Sequence, residues 1–211
     1  MEDYEVILDA IMAHLNPRET VAKNEIPVGI SNRHIHLSQQ AVDKLFGCNY
    51  ELTRLKDLSQ PGQYACKECV TICGPKGVIE KVRILGPVRT QTQVEILQSD
   101  TFKLGVKGEL RLSGDLVGTP GITLVGPNGS FELQAGVIVS KRHIHMLPED
   151  ATRFGVRDGE TVSIEFSGQR GGTLNNVVIR ATANSGLECH IDTEEANALG
   201  VVPGTKIEIR K

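Results

Sequence analysis

The sequence predicts a mainly β protein of compact barrels with few, short helices, and three observations support this fold class. Short β-type segments alternate with Gly and Pro turns, helical patterns are brief, and parts of the chain repeat one another. A chain of 211 residues is long enough for one large domain or two small ones. We predict strands at residues 26–31, 70–73, 82–85, 94–97, 122–125, 137–140, 162–166, 177–181 and 206–209, and short helices at residues 39–46, 148–154 and 194–199.

An amphipathic segment precedes the β-rich region. Residues 1–15 carry apolar side chains at helical spacing, and Asn16-Pro17 ends the pattern. The polar stretch 18–25 then has the composition of a linker. We therefore treat residues 1–21 as an N-terminal helix and linker. The apolar face of this helix must be buried on its own core, on a second subunit or on another protein.

The composition excludes several classes of partner. A net charge of −3 provides no basic field for nucleic acid, and the absence of Trp leaves little for base stacking. No apolar run approaches the roughly 20 residues that a membrane-spanning helix needs. The acidic residues Glu2, Asp3 and Glu5 are unlike a secretory signal. We expect a cytoplasmic protein with reduced thiols and with no nucleic-acid or membrane partner.

Two internal repeats place histidine at equivalent positions. Residues 28–37 (VGISNRHIHL) match residues 137–146 (VIVSKRHIHM), and residues 145–156 match residues 190–201 without gaps. Each unit is a strand that ends in histidine, followed by a short helix, a Gly turn and another strand. Histidine adds little to a strand–helix junction, so its recurrence there indicates chemistry. The equivalent histidines are His36, His145 and His190.

Four histidines form two His-x-His pairs, His34 with His36 and His143 with His145. On a strand, residues i and i+2 point to the same face, about 6.6 Å apart along the chain, so two imidazoles can bind one metal ion. One such pair is often only a surface feature. Two pairs in matched contexts, together with His190, predict a metal site, and imidazole-rich sites suit zinc, although iron, nickel and copper also accept them.

The segment 89–95 (RTQTQVE) is a second candidate. Strand alternation predicts that Arg89, Gln91, Gln93 and Glu95 share one face. Glu95 could then complete a His-His-Glu zinc site, and the Arg89 guanidinium suits phosphate. The alternative is an ordinary exposed polar face. The turn-rich loop 111–121 could cover such a site, and further cations that could meet a polyanion are Lys56, Lys81 and Arg83.

Three clustered cysteines, Cys66, Cys69 and Cys73, include a Cys-x-x-Cys pair. A metal or redox role would need a fourth ligand or a thioredoxin-like setting, and the sequence shows neither. We therefore predict that these cysteines are small, partly buried residues of a strand, without a role in catalysis.

These residues together resemble the PduL-type phosphotransacylases, also called phosphate propanoyltransferases. The matching stretches are IPVGISNRHIHLS, GPVRTQTQVEI, RLSGDLVGTPGI, VIVSKRHIHMLPEDA and ECHIDTEEANALGV, within residues 26–209. The paired His-x-His motifs and the RxxTQVE segment make the resemblance specific. Two departures from the usual pattern are Leu147, in place of a Thr before Pro148, and Leu112, in place of an acidic residue.

The resemblance implies two β-barrel domains with a dinuclear zinc site between them. Residues 22–32 would join residues 141–211 in the first barrel, and residues 33–140 would form the second. One zinc would be held by His34, His36 and Glu95 and would meet the sulfur of coenzyme A. The other zinc would be held by His143, His145 and His190, with water completing its shell.

The resemblance also implies an activity, the interconversion of a short-chain acyl-CoA plus phosphate with an acyl phosphate plus CoA. Propanoyl-CoA or acetyl-CoA is the expected substrate, and Arg89 would bind the phosphate. Transfer would be direct, without an acyl-enzyme. Two alternative functions use the same candidate ligands: a dinuclear zinc hydrolase of esters or phosphates, and a non-catalytic zinc-stabilised binding module. The implied CoA-binding residues are Ser31, Lys56, Arg83, Leu85, His190 and Asn197.

Some members of this family belong to bacterial microcompartments, including those for propanediol degradation, and carry an amphipathic N-terminal extension that directs them into the protein shell. The resemblance therefore favours a docking role for residues 1–15 and a location in the microcompartment lumen. We also expect a homo-oligomer, most simply a dimer.

Overall fold

The computed structural model describes residues 25–210, and the predicted N-terminal helix and most of its linker lie outside them. Fifteen strands and four short helices make this described part mainly β, as predicted. None of its helices is long and apolar enough to cross a membrane. The strands are β1 (Ile26–Ser31), β2 (His34–His36), β3 (Arg54–Asp57), β4 (Tyr64–Cys73), β5 (Val78–Gly86), β6 (Gln93–Ile96), β7 (Glu109–Arg111), β8 (Ile122–Val125), β9 (Ser130–Leu133), β10 (Val137–Ser140), β11 (His143–Met146), β12 (Thr161–Phe166), β13 (Gly172–Ala181), β14 (Glu188–Asp192) and β15 (Lys206–Arg210). The helices are α1 (Gln39–Phe46), α2 (Asp100–Leu104), α3 (Pro148–Phe154) and α4 (Thr193–Leu199).

Six strands close into a barrel in the order β1-β14-β11-β13-β12-β15. Strand β1 closes it by pairing parallel with β14 and antiparallel with β15. Apolar side chains alternate into the interior, as in β12, where Val162, Ile164 and Phe166 are buried and the intervening residues are not. These residues and their neighbours form one hydrophobic core, which also contains Ile144 and Ile179.

The other nine strands form a sheet in the order β7-β10-β6-β2-β5-β4-β8-β9, with β3 paired to β4. Helix α1 packs beside β9 and contributes Leu45 and Phe46 to a second core. Strands β7 and β9 are the ends of this order. The prediction of two barrels is therefore confirmed in part, since six strands form a closed barrel and the other nine form a sheet.

The chain crosses between the two sheets at two matched points. Strand β1 belongs to the barrel, but β2 begins three residues later in the nine-stranded sheet; β10 belongs to that sheet, but β11 begins three residues later in the barrel. These are the two copies of the repeat at residues 28–37 and 137–146. The proposed domain boundaries remain a prediction, which this strand membership supports.

The predicted elements agree with the structure where apolar periodicity is strong. Helices α1 and α3 have the predicted limits, and α4 begins one residue earlier. Helix α2 was not predicted, because its five residues bury only Asp100 and Leu104. Strand β3 was missed because its four residues are all exposed and lack apolar alternation. The short strands β7 and β9 were missed as well.

The three helices that follow repeat strands begin with different caps. Ser38 caps α1 by accepting a hydrogen bond from the N–H of Ala41, and Asp192 caps α4 by accepting from the N–H groups of Glu194 and Glu195. Leu147 occupies the same place before α3 in extended conformation but has no side-chain acceptor. Helix α3 therefore leaves a backbone donor without the side-chain cap that its two counterparts have.

Replacing Leu147 with Thr should increase the free energy of unfolding by about 1 kcal/mol, because a hydroxyl there can accept the free N–H of the first turn. Urea denaturation of the metal-free protein measures the change. Leu147→Val is the matched control, since it has the same shape without an acceptor. Equal stability of the Thr and Val variants would contradict the capping argument.

Candidate metal centre and ligand cavity

Six potential metal ligands lie in two groups, one composed of His34, His36 and Glu95 and the other of His143, His145 and His190. In each group the ligand atoms lie within 4.8 Å of one another. All six residues line a single cavity of about 880 Å³, whose walls come from both the barrel and the nine-stranded sheet. The structure thus brings together all six residues that the sequence singled out.

Strand register builds the first group. Strand β2 pairs antiparallel with β6, which sets His34 directly opposite Glu95. Nε2 of His34 lies 3.4 Å from Oε1 of Glu95, and the rings of His34 and His36 are 5.1 Å apart. Two ligands of a tetrahedral zinc ion are separated by about 3.3 Å, as follows from bonds of about 2.0–2.1 Å. The spacing in the structure fits such an ion.

The second group repeats this construction in the barrel. Strand β11 pairs antiparallel with β14, which sets His143 directly opposite His190. The ring of His143 is 4.8 Å from that of His145, and the His190 ring is 5.0 Å from each of them. A His-x-His strand and the facing residue of its antiparallel neighbour thus supply three ligands in both groups.

An arginine next to each His-x-His pair forms an ion pair with a carboxylate near the third ligand. Arg33 donates to both carboxylate oxygens of Asp100 at 2.7 and 2.9 Å, and Arg142 pairs with Glu195. Each carboxylate also accepts from the backbone two residues after the third ligand, at Leu97 or Asp192. Each arginine therefore ties its His-x-His strand to the helix start that follows the third ligand.

The sequence contains a further signal for this match, which was not among the predicted repeats. The segments 93–100 (QVEILQSD) and 188–195 (ECHIDTEE) align without gaps, so that Glu95 corresponds to His190 and Asp100 to Glu195. Different residue types at the ligand position hide the similarity.

Backbone carbonyl groups orient the first histidine of each pair. Nδ1 of His34 lies 2.8 Å from the carbonyl of Asn32, and Nδ1 of His143 lies 2.8 Å from the carbonyl of Lys141. A carbonyl can only accept, so the proton is on Nδ1 in both rings. Nε2 is then the nitrogen that is free to bind a metal ion, as is usual where the other ring nitrogen is hydrogen-bonded.

The electrostatics of the first group favour an ionised carboxylate. Burial opposes ionisation of Glu95, but His34 and His36 outweigh it and hold the pKa of Glu95 well below its usual range. Burial likewise opposes protonation of His34, but the charge and hydrogen bond of Glu95 raise the pKa of His34 overall. Glu95 is thus in the form that binds a cation.

Three other histidines of the two groups are held neutral, which is the form a metal ion requires. Burial, reinforced by neighbouring cationic groups, lowers the pKa of His36 to about 3, of His143 to about 4 and of His145 to about 3. Nδ1 of His36 is buried and, within residues 25–210, has no hydrogen-bond partner of normal geometry. Neutral imidazoles, one carboxylate and an unsatisfied buried ring nitrogen together fit a zinc-type donor set.

The position of Arg89 corrects one prediction. Strand β6 begins only at Gln93, and Arg89 instead forms an isolated bridge to Ser38 with its N–H bonded to the carbonyl of Leu37. The predicted common face is therefore wrong for Gln91, which is exposed, although Arg89 still reaches the cavity. Its guanidinium donates to the hydroxyl of Ser113 at 2.9 Å. Loop 111–121 thus contacts the cavity through Ser113, as expected.

A second arginine, Arg180, was not anticipated. It faces His145 across β11 and β13 and lines the cavity. Its guanidinium makes no hydrogen bond or ion pair with other residues of the described part, yet its charge lowers the pKa of His143 and His145. A lone arginine in an otherwise ordinary strand has no sequence signal, because only the strand register brings it to the histidines.

Most of the residues assigned to coenzyme A line the cavity, including Ser31, Lys56, Arg83 and Leu85. The Arg83 guanidinium is held by the carbonyl groups of Cys66 and Lys67. Asn197 is exposed on α4 and is not part of the lining, so its assignment stays a prediction. Lys81 is exposed on β5, also away from the lining.

The cysteine cluster lies on β4, as predicted, and is not part of either ligand group. Cys66 is buried, and burial raises the pKa of its thiol to about 11, so that it stays protonated. Cys69 and Cys73 are half-buried and unpaired. These positions support the prediction that the three cysteines are small, partly buried residues of a strand.

The chain is similar to known proteins of one family over most of its length. The family model for phosphate propanoyltransferase matches residues 27–202. The chain is 50% identical over 209 residues to a phosphate propanoyltransferase of Rhodobacter capsulatus, with 97% of each chain covered. It is 51% identical over 207 residues to that of Thermotoga maritima, covering 97% of this chain and 99% of the relative. It is 50% identical over 183 residues to that of Salmonella typhimurium, covering 86% and 87%. The chain therefore belongs to the phosphate propanoyltransferase family of acyl-transferring enzymes.

Proposed function

We propose that this protein transfers a short acyl group between coenzyme A and inorganic phosphate at a dinuclear zinc site. The observation that carries the proposal is the convergence of two three-ligand groups and two arginines, Arg89 and Arg180, on one cavity. A cavity that could hold two cations beside two guanidinium groups is suited to a polyanionic substrate.

His34, His36 and Glu95 would hold one zinc ion, and His143, His145 and His190 the other. Each group supplies three protein ligands, the number found in catalytic zinc sites that keep a position open for substrate or water. When bound, zinc supplies Lewis-acid stabilisation of oxygen or sulfur that gains negative charge. The closed four-ligand arrangement expected for a purely structural site is not offered by either group in residues 25–210.

The arginines account for the use of phosphate. Arg89 is held by Ser113 at one nitrogen, which leaves the other donors of its planar fork for phosphate oxygens. Arg180 has no competing partner in the described part of the chain. Together they orient phosphate and offset its charge, which otherwise opposes attack on an acyl group.

The chemistry is a direct exchange at the acyl carbon. A phosphate oxygen forms the new C–O bond as the C–S bond of the thioester breaks, and the departing sulfur carries away the electron pair as thiolate. No cysteine lines the cavity within residues 25–210, and the Ser113 hydroxyl is engaged by Arg89 and Gln93 rather than by a histidine base. An acyl-enzyme is therefore not needed.

Coenzyme A would lie along the wall formed by β1, β3 and β5. Ser31, Lys56, Arg83 and Leu85 line this wall and combine positive charge with apolar surface. The acyl group, propanoyl or acetyl, differs by one methylene, which a pocket separates only weakly.

The location of the enzyme in the cell and its oligomeric state are also part of the proposal. Residues 1–15 would dock the enzyme on a microcompartment shell, and the active form would be a cytoplasmic or lumenal homo-oligomer. The apolar spacing of that segment and the family resemblance support this part of the proposal.

Release of free CoA from propanoyl-CoA and acetyl-CoA should require inorganic phosphate and close to two bound zinc ions per chain. A thiol-reactive dye measures CoA release, and metal analysis gives the zinc content. The His145→Ala variant, compared in parallel, should lose about one ion and nearly all activity. Phosphate-independent CoA release would instead indicate a zinc hydrolase, and zinc without turnover would indicate a binding module.

Replacing Arg89 with Ala should either raise the KM for phosphate or reduce kcat, and the change should be about 10²-fold or more. The reason is that an oriented guanidinium contributes roughly 3 kcal/mol to the stability of such a transition state. Zinc content should not change. Arg89→Lys should recover little, since an ammonium group lacks the two-pronged geometry. An Ala variant with normal phosphate dependence would remove Arg89 from the site.

The metal-free protein should lose stability as the pH falls from about 6.5 toward 4. His36, His143 and His145 have folded pKa values below the ordinary 6.5, so protons bind preferentially to the unfolded chain in this interval. The raised pKa of His34 stabilises the folded protein when this ring is protonated, but that contribution is largely complete below pH 6.5 and changes little over the interval. Urea denaturation across the interval measures the slope.

The matched variant for this test is His36→Gln. It removes one buried histidine and should reduce the slope by at most about 1.4 kcal/mol per pH unit. A metal-free protein whose stability does not change over this interval would show that the histidines are not held neutral.

A further inference from the structure

A polar residue lies two positions before the third ligand on each of the two matched strands. On β6, Gln93 donates from Nε2 to Oε1 of Glu95 at 2.6 Å. On β14, Oε2 of Glu188 lies 2.5 Å from Nε2 of His190. The polarity of each partner is matched to its ligand, since the amide donates to a carboxylate and the carboxylate accepts from an imidazole.

Each of these residues is itself held by a loop of the nine-stranded sheet. Gln93 accepts from the N–H of Gly114 and donates to the hydroxyl of Ser113, both at 2.8 Å. Glu188 accepts a hydrogen bond from the hydroxyl of Ser59. The geometry of both ligand strands is therefore tied to loops that also line the cavity.

The loop that carries Ser59 is fixed against the barrel. The side-chain amide of Gln60 donates to the carbonyl of Gly186 and accepts from its N–H, both at 3.1 Å. Gln60 is only 5% exposed, so these bonds are shielded from water. Ser59 is thus presented to Glu188 by a contact between the two sheets.

The fold also reserves space for the Glu188 carboxylate. Gly29 on β1 lies directly opposite His190, and a Cβ at this position would lie 2.6 Å from the carboxyl carbon of Glu188. At the matched place in the other half the chain has Ile138, opposite Glu95. The backbone of Gly29 is not in the left-handed region, so a larger side chain here would displace the Glu188 carboxylate rather than strain the backbone.

We propose that Glu188 is a positioning residue for His190, held in place by Ser59 and by the space at Gly29, and that Gln93 is its counterpart for Glu95. A hydrogen bond at Nε2 leaves Nδ1 of His190 as the nitrogen that faces a metal ion. A carboxylate partner fixes the orientation of a ligating imidazole and increases its basicity. This inference rests on the proposed function, since it assumes that His190 binds zinc.

The test compares zinc affinities of full-length variants by competition with a chromophoric chelator. Glu188→Met removes the acceptor at similar volume and should weaken one of the two zinc ions by about 10- to 100-fold while changing the other little. Glu188→Gln keeps a weaker acceptor and should give an intermediate effect. The Glu208→Gln variant, at an exposed carboxylate on β15, is the control and should match wild type.

Three further measurements separate positioning from a general structural role. In a His190→Ala background, Glu188→Met should cause no additional loss, because the ligand it orients is gone. Gly29→Ala, which displaces the carboxylate without removing it, should reproduce the loss at the same ion. Cobalt substituted into that site should show an altered visible spectrum in Glu188→Met.

Wild-type affinity at both ions in Glu188→Met and Gly29→Ala would overturn the inference, as would equal weakening of both ions or an undiminished effect in the His190→Ala background. If Glu188→Met does not fold, Gly29→Ala decides the question by itself. Failure of the proposed function has a different signature, because the wild-type protein would then bind no zinc or release CoA without phosphate.

Discussion

The antiparallel register of β2 with β6 and of β11 with β14 is the constraint on which the site depends. A shift of one residue would turn His34 and His36 away from Glu95 and into the opposite face of the sheet. The ion pairs Arg33–Asp100 and Arg142–Glu195 oppose such a shift, because each joins the residue before a His-x-His pair to the helix that follows its partner strand. The two crossings of the chain then bring both registered pairs to one cavity.

Concentrating these groups is costly for the protein without metal. Glu95, His36 and His143 are each more than nine-tenths buried, and Arg89 and Arg180 add positive charge beside them. Burial is tolerated because His36 and His143 stay neutral and Glu95 stays paired with His34. Two divalent ions against the single ligand carboxylate would leave the cavity strongly positive. Such a charge would suit a phosphate and a polyanionic thioester as substrates.

Motifs that repeat could be predicted from the sequence, and single residues that depend on register could not. The two His-x-His pairs identified four of the six candidate metal ligands because the same local pattern occurs twice, and alternation correctly joined Gln93 to Glu95. Arg180 and Glu188 reach the cavity only through pairing with distant strands. The strand predicted from Arg89 was wrong because the backbone of Arg89 bonds to Leu37 and Ser38 instead of continuing β6. Helix α2 was too short for a periodicity to show.

The two halves of the site, one in the nine-stranded sheet and one in the barrel, have the same charge at matched positions but different residue types. The pair Gln93–Glu95 contains one carboxylate, and so does the pair Glu188–His190. In the nine-stranded sheet the carboxylate would be the metal ligand, and an amide donates a hydrogen bond to it. In the barrel the ligand would be an imidazole, and the carboxylate is hydrogen-bonded to it.

Each half would thus supply one negative charge for one divalent ion, but at different distances from it. A carboxylate in direct contact reduces the charge that an ion presents to substrate more than one acting through an imidazole. The barrel half would therefore present the stronger positive field, and Arg180, which has no partner in the described chain, lies on that side.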